Sequence, residues 1–199
     1  MAAIVVATLG DSITAGSPLW DPDPAERAKI GTAADERSQW QWWAGQRDER
    51  LEFRNHGVCG ERTEQIAARL DAAAAGADVL VVQGGINDVV HRKSIEDAVR
   101  NLEGMVQRGR ALGLAVALAD VLPWNNGDRR AAADIESLNL LVAALAERTG
   151  VPLLRFHDTL VDPDRPTRMR DDWTDDGNHP SVEGHRRLGE LAFRLPELF

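Results

Sequence analysis

The sequence has a single cysteine, Cys59, so no disulfide can form within the chain. Basic residues are also few: 23 Lys and Arg stand against 32 Asp and Glu, the formal net charge is −9, and no basic cluster stands out. Because nucleic-acid binding needs a basic face, we expect no nucleic-acid partner. The sequence has no CxxC or HExxH motif, and we expect neither a metal nor a cofactor.

Long hydrophobic runs are missing as well, and the first residues lack the positive charge of a signal peptide. We therefore expect no membrane span and a cytoplasmic location. Hydrophobic residues make up 43% and charged residues 28% of the 199 positions, which is the balance of a soluble globular protein. We expect one domain over residues 1–199. Nothing in the sequence indicates an oligomeric state.

Short apolar or alternating runs are interleaved with longer amphipathic stretches. The short runs predict five strands, at 2–9, 51–58, 78–85, 114–122 and 151–158. The longer stretches predict five helices, at 36–50, 61–75, 94–113, 128–150 and 181–195. Strands that are apolar throughout indicate a parallel sheet covered on both faces. Right-handed crossovers then predict an α/β, three-layer sandwich with a five-stranded parallel sheet in the flavodoxin-like order 2-1-3-4-5.

Such sheets carry their sites outside the carboxyl ends of the strands, and the first predicted strand runs into Gly10-Asp11-Ser12. Ser12 is either the N-cap of a helix or a nucleophile. A nucleophilic serine needs an imidazole base and a carboxylate that orients the base. His179, with Asp176 three positions earlier in a glycine-containing turn, supplies both. The same loop holds three rival carboxylates, Asp171, Asp172 and Asp175.

Cleavage of an acyl bond through a serine also needs hydrogen-bond donors for the oxyanion of the tetrahedral intermediate. Three groups at the predicted sheet edge could donate: the backbone N–H of Ser12, the backbone N–H of Gly57 and the side-chain amide of Asn87. Asn87 could instead cap the turn after the third strand. We expect a structural role for the neighbouring Asp88.

Four sequence blocks resemble those of the SGNH hydrolases, also called the GDSL esterase/lipase family. They occur in the family's order: Gly10-Asp11-Ser12-Ile13, Gly57 within "NHGVCG", Gly85-Ile86-Asn87-Asp88, and Asp176-Gly177-Asn178-His179. The first block has isoleucine where the family has leucine. The resemblance implies hydrolysis of small to medium acyl esters through an acyl-serine intermediate, without a metal. It implies Ser12 as nucleophile, His179 as general base and then acid, and Asp176 as the orienting carboxylate. Ser12, Gly57 and Asn87 would form the oxyanion hole.

Other substrates and another class of protein remain open at this point. Within the family, acyl thioesters, lysophospholipids and acetylated carbohydrates are alternatives to a small-molecule carboxylic ester. A non-catalytic flavodoxin-like binding module, holding phosphate or a metal at Asp11, would want a cationic anchor. The only two lysines, Lys29 and Lys93, lie outside the four blocks. This favours the enzyme.

The six tryptophans fall into two groups. Trp40, Trp42 and Trp43 lie in one predicted helix, where Trp40 and Trp43 are three positions apart, a spacing that predicts core packing. Trp20, Trp124 and Trp173 follow no apolar stripe and lie in predicted loops at the edge that carries the site. We expect Trp20 and Trp124 to wall the substrate pocket. Residues 17–35 form an unusually long predicted loop, and loops of this length often serve function.

Overall fold

A computed structural model describes residues 3–196 of the chain. Five parallel strands form one sheet in the order β2-β1-β3-β4-β5, which confirms the predicted order. The strands are β1 (Ile4–Gly10), β2 (Leu51–Gly57), β3 (Val79–Val82), β4 (Ala115–Ala119) and β5 (Leu153–Leu154). The predicted first strand, 2–9, includes Ala2, which lies outside the described residues.

Helices cover both faces of the sheet, as predicted. They are α1 (Ser12–Ala15), α2 (Pro24–Ile30), α3 (Trp40–Arg47), α4 (Thr63–Ala68), α5 (Leu70–Ala73), α6 (Ile86–Val90), α7 (Ile95–Ala111), α8 (Arg129–Thr149), α9 (Phe156–Leu160) and α10 (Val182–Arg187). The central strands β3 and β4 are buried at every position because both their faces meet a helical layer.

Each face of the sheet has its own hydrophobic core. On one face, Leu80 of β3 packs with Leu102 of α7 and Leu138 of α8. On the other, Trp40 of α3 packs with Phe156 of α9, their rings edge to face at 5.6 Å. Trp40 is fully buried, as predicted. Trp43 is only half-buried, and its indole N–H donates to the carbonyl of Arg37.

The predicted strand at 151–158 is wrong beyond Leu154, because α9 begins at Phe156. Phe156 and Leu160 are four positions apart and both fully buried, which is the spacing of one helix face. The carboxylate of Asp120 accepts the N–H of His157 in the first turn of α9, at 2.7 Å. Packing and this cap together favour a helix over a longer strand.

Helix boundaries also differ from prediction at three places. The predicted helix 36–50 is divided into a 3-10 turn, Glu36–Ser38, and helix α3. The 3-10 turn is capped by Asp35, whose carboxylate accepts the N–H of Arg37. The predicted helix 61–75 is two helices that meet at Arg69. The predicted helix 181–195 consists of α10 and a π-helical turn, Leu188–Ala192.

The long predicted loop 17–35 and the segment 158–180 before α10 both contain regular structure. Within 17–35, α2 is capped by Asp23, whose carboxylate accepts the N–H of Ala25 at 2.8 Å. Within 158–180, strands β6 (Val161–Asp162) and β7 (Arg165–Met169) form an antiparallel hairpin. These segments are therefore folded extensions around the carboxyl edge of the sheet.

Within residues 3–196, no helix combines the length and apolar character that a bilayer crossing requires.

Candidate active site

Ser12 lies where β1 ends and begins helix α1. Asp11 is the N-cap of this helix, and its carboxylate accepts the N–H of Ile13 at 3.0 Å and the side-chain amide of Gln83 at 3.1 Å. Burial raises the pKa of Asp11 to about 6. Ser12 was predicted to be either a helix N-cap or a nucleophile, and in the structure Asp11 is the N-cap. The Ser12 hydroxyl is left for another partner.

That partner is His179, whose Nε2 lies 3.1 Å from Ser12 Oγ. The other ring nitrogen, Nδ1, lies 2.7 Å from Asp176 Oδ2. Ser12 is 167 positions away from His179 in the chain. The fold thus brings the three residues together in one line of hydrogen bonds. An imidazole held in this way can accept the serine proton at Nε2 while Nδ1 donates to the carboxylate.

Of the four candidate carboxylates in the loop, Asp176 is the one that contacts the His179 ring. Its Oδ1 accepts the backbone N–H groups of Asn178 and His179, both at 2.8 Å, while Oδ2 faces the imidazole. Burial works against ionisation, but the hydrogen bonds from the His179 ring and from the two backbone N–H groups lower the pKa of Asp176. Asp171 and Asp172 instead form ion pairs, with Arg165 and Arg170. The carboxylate beside the imidazole is therefore held in its charged form.

Two of the three predicted oxyanion donors keep a hydrogen that no acceptor in the described part of the chain uses. Within residues 3–196 the N–H of Ser12 donates to no protein acceptor, as expected at the first position of a helix. The Asn87 side chain lies in α6 and gives one amide hydrogen to the carbonyl of Glu61, at 3.0 Å. A primary amide has two hydrogens, so one remains available.

The third predicted donor, Gly57, has its N–H occupied. It donates at 2.9 Å to Oδ1 of Asn55, two positions earlier. Gly57 serves packing instead: a Cβ there would lie 2.1 Å from the backbone nitrogen of Ala15, in helix α1. The signal for this was local, because asparagine side chains often bind the backbone two residues on. The glycine lets α1, which carries Ser12, approach β2.

Gly60, in the same loop, was missed by the sequence analysis. It has a φ of +78°, its Cβ position faces open space, and within the described part of the chain its N–H donates to no acceptor. The loop is anchored beside Ser12 by the N–H of Val58, which donates to the carbonyl of Gly10 at 3.0 Å. Asn87 bonds the carbonyl of Glu61, the residue after Gly60. The free Gly60 N–H thus lies in a loop that is hydrogen-bonded to Gly10, near Ser12, and to Asn87.

The neighbouring polar residues have structural contacts. Asp88 accepts the N–H and the hydroxyl of Thr63, at 3.0 and 2.9 Å, which agrees with its expected structural role. Burial, followed by the nearby guanidinium groups of Arg69 and Arg54, lowers the pKa of His56 and favours its neutral form. This imidazole lies in β2.

The three loop tryptophans differ in their surroundings. Trp124 donates its indole N–H to Oδ1 of Asn178, inside the turn that carries His179, at 2.6 Å. It also borders a cavity of about 180 Å³. Trp20 lines a separate groove with Ser17 and Cys59. Trp124 and Trp173 do not fit the expectation of loop residues without a core role, because Trp124 packs against the core that contains Leu80 and Trp173 against the core that contains Trp40.

The fold and the site together define the class of the SGNH hydrolases. The fold is a parallel sandwich, and at the carboxyl edge of its sheet the Gly-Asp-Ser turn is hydrogen-bonded to the Asp-x-x-His turn. The chain belongs to the GDSL-like lipase/acylhydrolase family, whose family model matches residues 8–187. No curated protein sequence matches the chain.

Several solved structures share the fold. A G-D-S-L family protein from Desulfitobacterium hafniense has a TM-score of 0.77 and 22% identity, covering 94% of this chain and 96% of the other. A GDSL-like lipase from Bacteroides thetaiotaomicron has a TM-score of 0.72 and 21% identity, covering 94% and 84%. A catalytic mutant of Axe2, an acetylxylan esterase from Geobacillus stearothermophilus, has a TM-score of 0.73 and 18% identity, covering 95% and 92%.

Proposed function

We propose that the protein is a serine ester hydrolase that cleaves carboxylic esters through an acyl-serine intermediate. The observation that carries this proposal is the 3.1 Å contact between Ser12 Oγ and His179 Nε2, with Asp176 at 2.7 Å on the other side of the imidazole. Ser12 attacks the carbonyl carbon while His179 takes the hydroxyl proton. His179 then gives that proton to the departing alcohol oxygen. In the second half, His179 takes a proton from a water molecule that attacks the acyl-serine carbonyl, and returns it to Ser12 Oγ as the carboxylic acid leaves.

The negative charge of the tetrahedral intermediate requires fixed donors. We assign this role to the Ser12 N–H, the second amide hydrogen of Asn87 and the N–H of Gly60, in place of the predicted Gly57. The assignment rests on which N–H groups are already occupied in the protein. Donors that are held in place before the reaction stabilise the oxyanion without paying for reorganisation, which is why a rigid loop suits this task.

The cavity beside Trp124 is our candidate site for a short acyl or alcohol group, because the indole that borders it is hydrogen-bonded to Asn178, in the turn that carries His179. It lies between α6, which carries Asn87, and the start of α8, and Val90 and Ala131 contribute its apolar wall. Its volume of about 180 Å³ is below the roughly 300 Å³ at which pockets for drug-sized ligands begin. Small carboxylic esters are therefore the substrate class we favour over long-chain lysophospholipids. Trp20 lines a separate groove, and its role as a wall of the substrate pocket stays a prediction.

The experiment is hydrolysis of p-nitrophenyl acetate, butyrate and octanoate by wild type and Ser12→Ala. We expect kcat of the variant to fall by about 10³-fold or more, as for other catalytic serines. Ser94→Ala is the matched control, because Ser94 caps α7 away from the triad. It should keep kcat and lose about 1 kcal/mol of stability. A Ser12→Ala variant with wild-type kcat would refute the proposal.

The role of Trp124 is tested by two substitutions. Trp124→Ala removes the cavity wall and should shift the preference toward the longer ester. Trp124→Phe keeps most of the wall but loses the hydrogen bond to Asn178. It should retain the chain-length preference of the wild type. An unchanged preference in Trp124→Ala would remove this residue from the substrate pocket.

A further inference from the structure

The turn that carries His179 is held from outside by a segment far away in sequence. Three consecutive residues, 124–126, form four hydrogen bonds to Asp176, Gly177 and Asn178, across about 50 positions of chain. Two of the four come from one nitrogen, Nδ2 of Asn126. It lies 2.8 Å from the carbonyl of Asp176 and 2.9 Å from Oδ1 of Asn178.

The Asn126 amide also packs directly on the turn. Gly177 has a φ of +75°, and a Cβ at this position would lie 2.9 Å from Oδ1 of Asn126. The glycine therefore serves two purposes: it accepts a left-handed backbone conformation, and it leaves room for the amide. The Asn126 amide is thus fixed between the backbone of Asp176 and the side chain of Asn178.

The chemistry needs such support because the Asp176–His179 pair lies at the surface. The two side chains are 35% and 23% exposed, so close packing does not hold them on all sides. Inside the turn, the hydroxyl of Thr174 accepts the N–H of Gly177 and donates to the carbonyl of His179. These bonds close the turn but do not fix it relative to the sheet that carries Ser12. The bonds from Asn126 connect it to the loop after β4.

We propose that Asn126 is a positioning residue that keeps the Asp176 carboxylate on Nδ1 of His179, and thereby Nε2 on Ser12. This proposal rests on the proposed serine hydrolase function. Asn126 touches neither the imidazole nor the reacting atoms; it acts through the backbone of Asp176 and through Asn178. A misplacement that approaches 1 Å can cost about 10²-fold in rate.

The test compares Asn126→Ala with Asn139→Ala. Asn139 is a matched control, because it forms two 2.8 Å hydrogen bonds with the backbone of Val121, at the base of the same loop. It has no contact with the turn in the described part of the chain. For Asn126→Ala we expect kcat of p-nitrophenyl butyrate hydrolysis to fall by about 10-fold to 100-fold. Asn126 also lines the cavity beside Trp124, so the fall in kcat, and not a change in KM, is the readout. Asn139→Ala should keep kcat within about 3-fold of wild type.

A second readout does not depend on turnover. Proton NMR reports the hydrogen bond from His179 Nδ1 to Asp176 as a strongly downfield resonance, assigned by its loss in a His179→Gln variant. In Asn126→Ala this resonance should broaden or move upfield, while in Asn139→Ala it should stay. An unchanged resonance in Asn126→Ala overturns the proposal, as does an equal change in the two variants. Absence of Ser12-dependent activity in the wild type would instead refute the proposed function, and the resonance would still decide the role of Asn126.

Discussion

Replacement of Asp176 by asparagine separates the orienting role of this carboxylate from its role in the turn. Oδ1 of Asp176 accepts two backbone N–H groups at 2.8 Å, and an asparagine can keep both through its own Oδ1. The second side-chain oxygen, Oδ2, is replaced by a group of opposite hydrogen-bonding character. Oδ2, 2.7 Å from Nδ1 of His179, becomes an NH₂ group that must donate. We therefore expect Asp176→Asn to fold normally with the imidazole in the wrong tautomer.

In that tautomer Nδ1 accepts and Nε2 carries the hydrogen, so Nε2 cannot take the proton of Ser12 at 3.1 Å. The same exchange in a serine protease triad lowers kcat by about 10⁴-fold. This factor corresponds to about 5.5 kcal/mol of transition-state stabilisation. We expect a loss of this order in kcat for p-nitrophenyl acetate, measured near pH 7.5 on a variant whose thermal unfolding matches the wild type.

Asp172→Asn is the control, since Asp172 is exposed and pairs with Arg170. It removes the same charge from the same loop and should leave kcat within about 2-fold, because exposed ion pairs contribute little. If Asp176→Asn lost less than 10-fold in kcat while folded, or if Asp172→Asn lost as much as Asp176→Asn, the orienting role of Asp176 would be refuted.

Two further substitutions test the packing and the electrostatics around the site. Gly57→Ala forces a Cβ to within 2.1 Å of the Ala15 backbone, so we expect a lower melting temperature and a displaced Ser12; a wild-type melting temperature would contradict the packing role. Asp120, which is 5% exposed, has its pKa raised by burial to about 7, above an unfolded value of about 3.9. The native state therefore binds the proton more tightly, and the free energy of unfolding should fall as pH rises from about 4 to 7, by up to about 4 kcal/mol. Urea unfolding of Asp120→Asn, which can still accept the N–H of His157, should show less of this decline; parallel curves for variant and wild type would exclude Asp120 as its source.

The sequence predicted the sheet order and the residues that meet at its edge because these depend on patterns that repeat along the chain. Apolar runs identified the strands, and the carboxyl ends of parallel strands share one edge. The structure brings His179 within hydrogen-bond distance of both Ser12 and Asp176, as expected. The end of the fifth strand was mispredicted because Phe156 extends the apolar run that contains Leu153 and Leu154 as readily as it begins a helix face with Leu160.

The remaining differences arise from contacts that no local pattern contains. The bonds from Asn126 to Asp176 and Asn178 span 50 and 52 positions and depend on how the loop after β4 meets the turn before α10. The hydrogen bond that occupies the N–H of Gly57 is an exception, because its acceptor Asn55 is only two positions away. This bond could have been predicted from the sequence. The choice between Gly57 and Gly60 depended on counting donors in three dimensions.

The central claim, that Ser12 is the nucleophile, is tested most directly by covalent labelling. The protein is treated with diethyl p-nitrophenyl phosphate, which phosphorylates activated serines, and the adduct is located by intact-mass and peptide mass spectrometry. We expect one diethylphosphoryl group per chain, on Ser12, with loss of esterase activity in proportion, and no labelling of Ser12→Ala. A stoichiometric adduct on a different residue, or full activity in protein labelled at Ser12, would contradict the account.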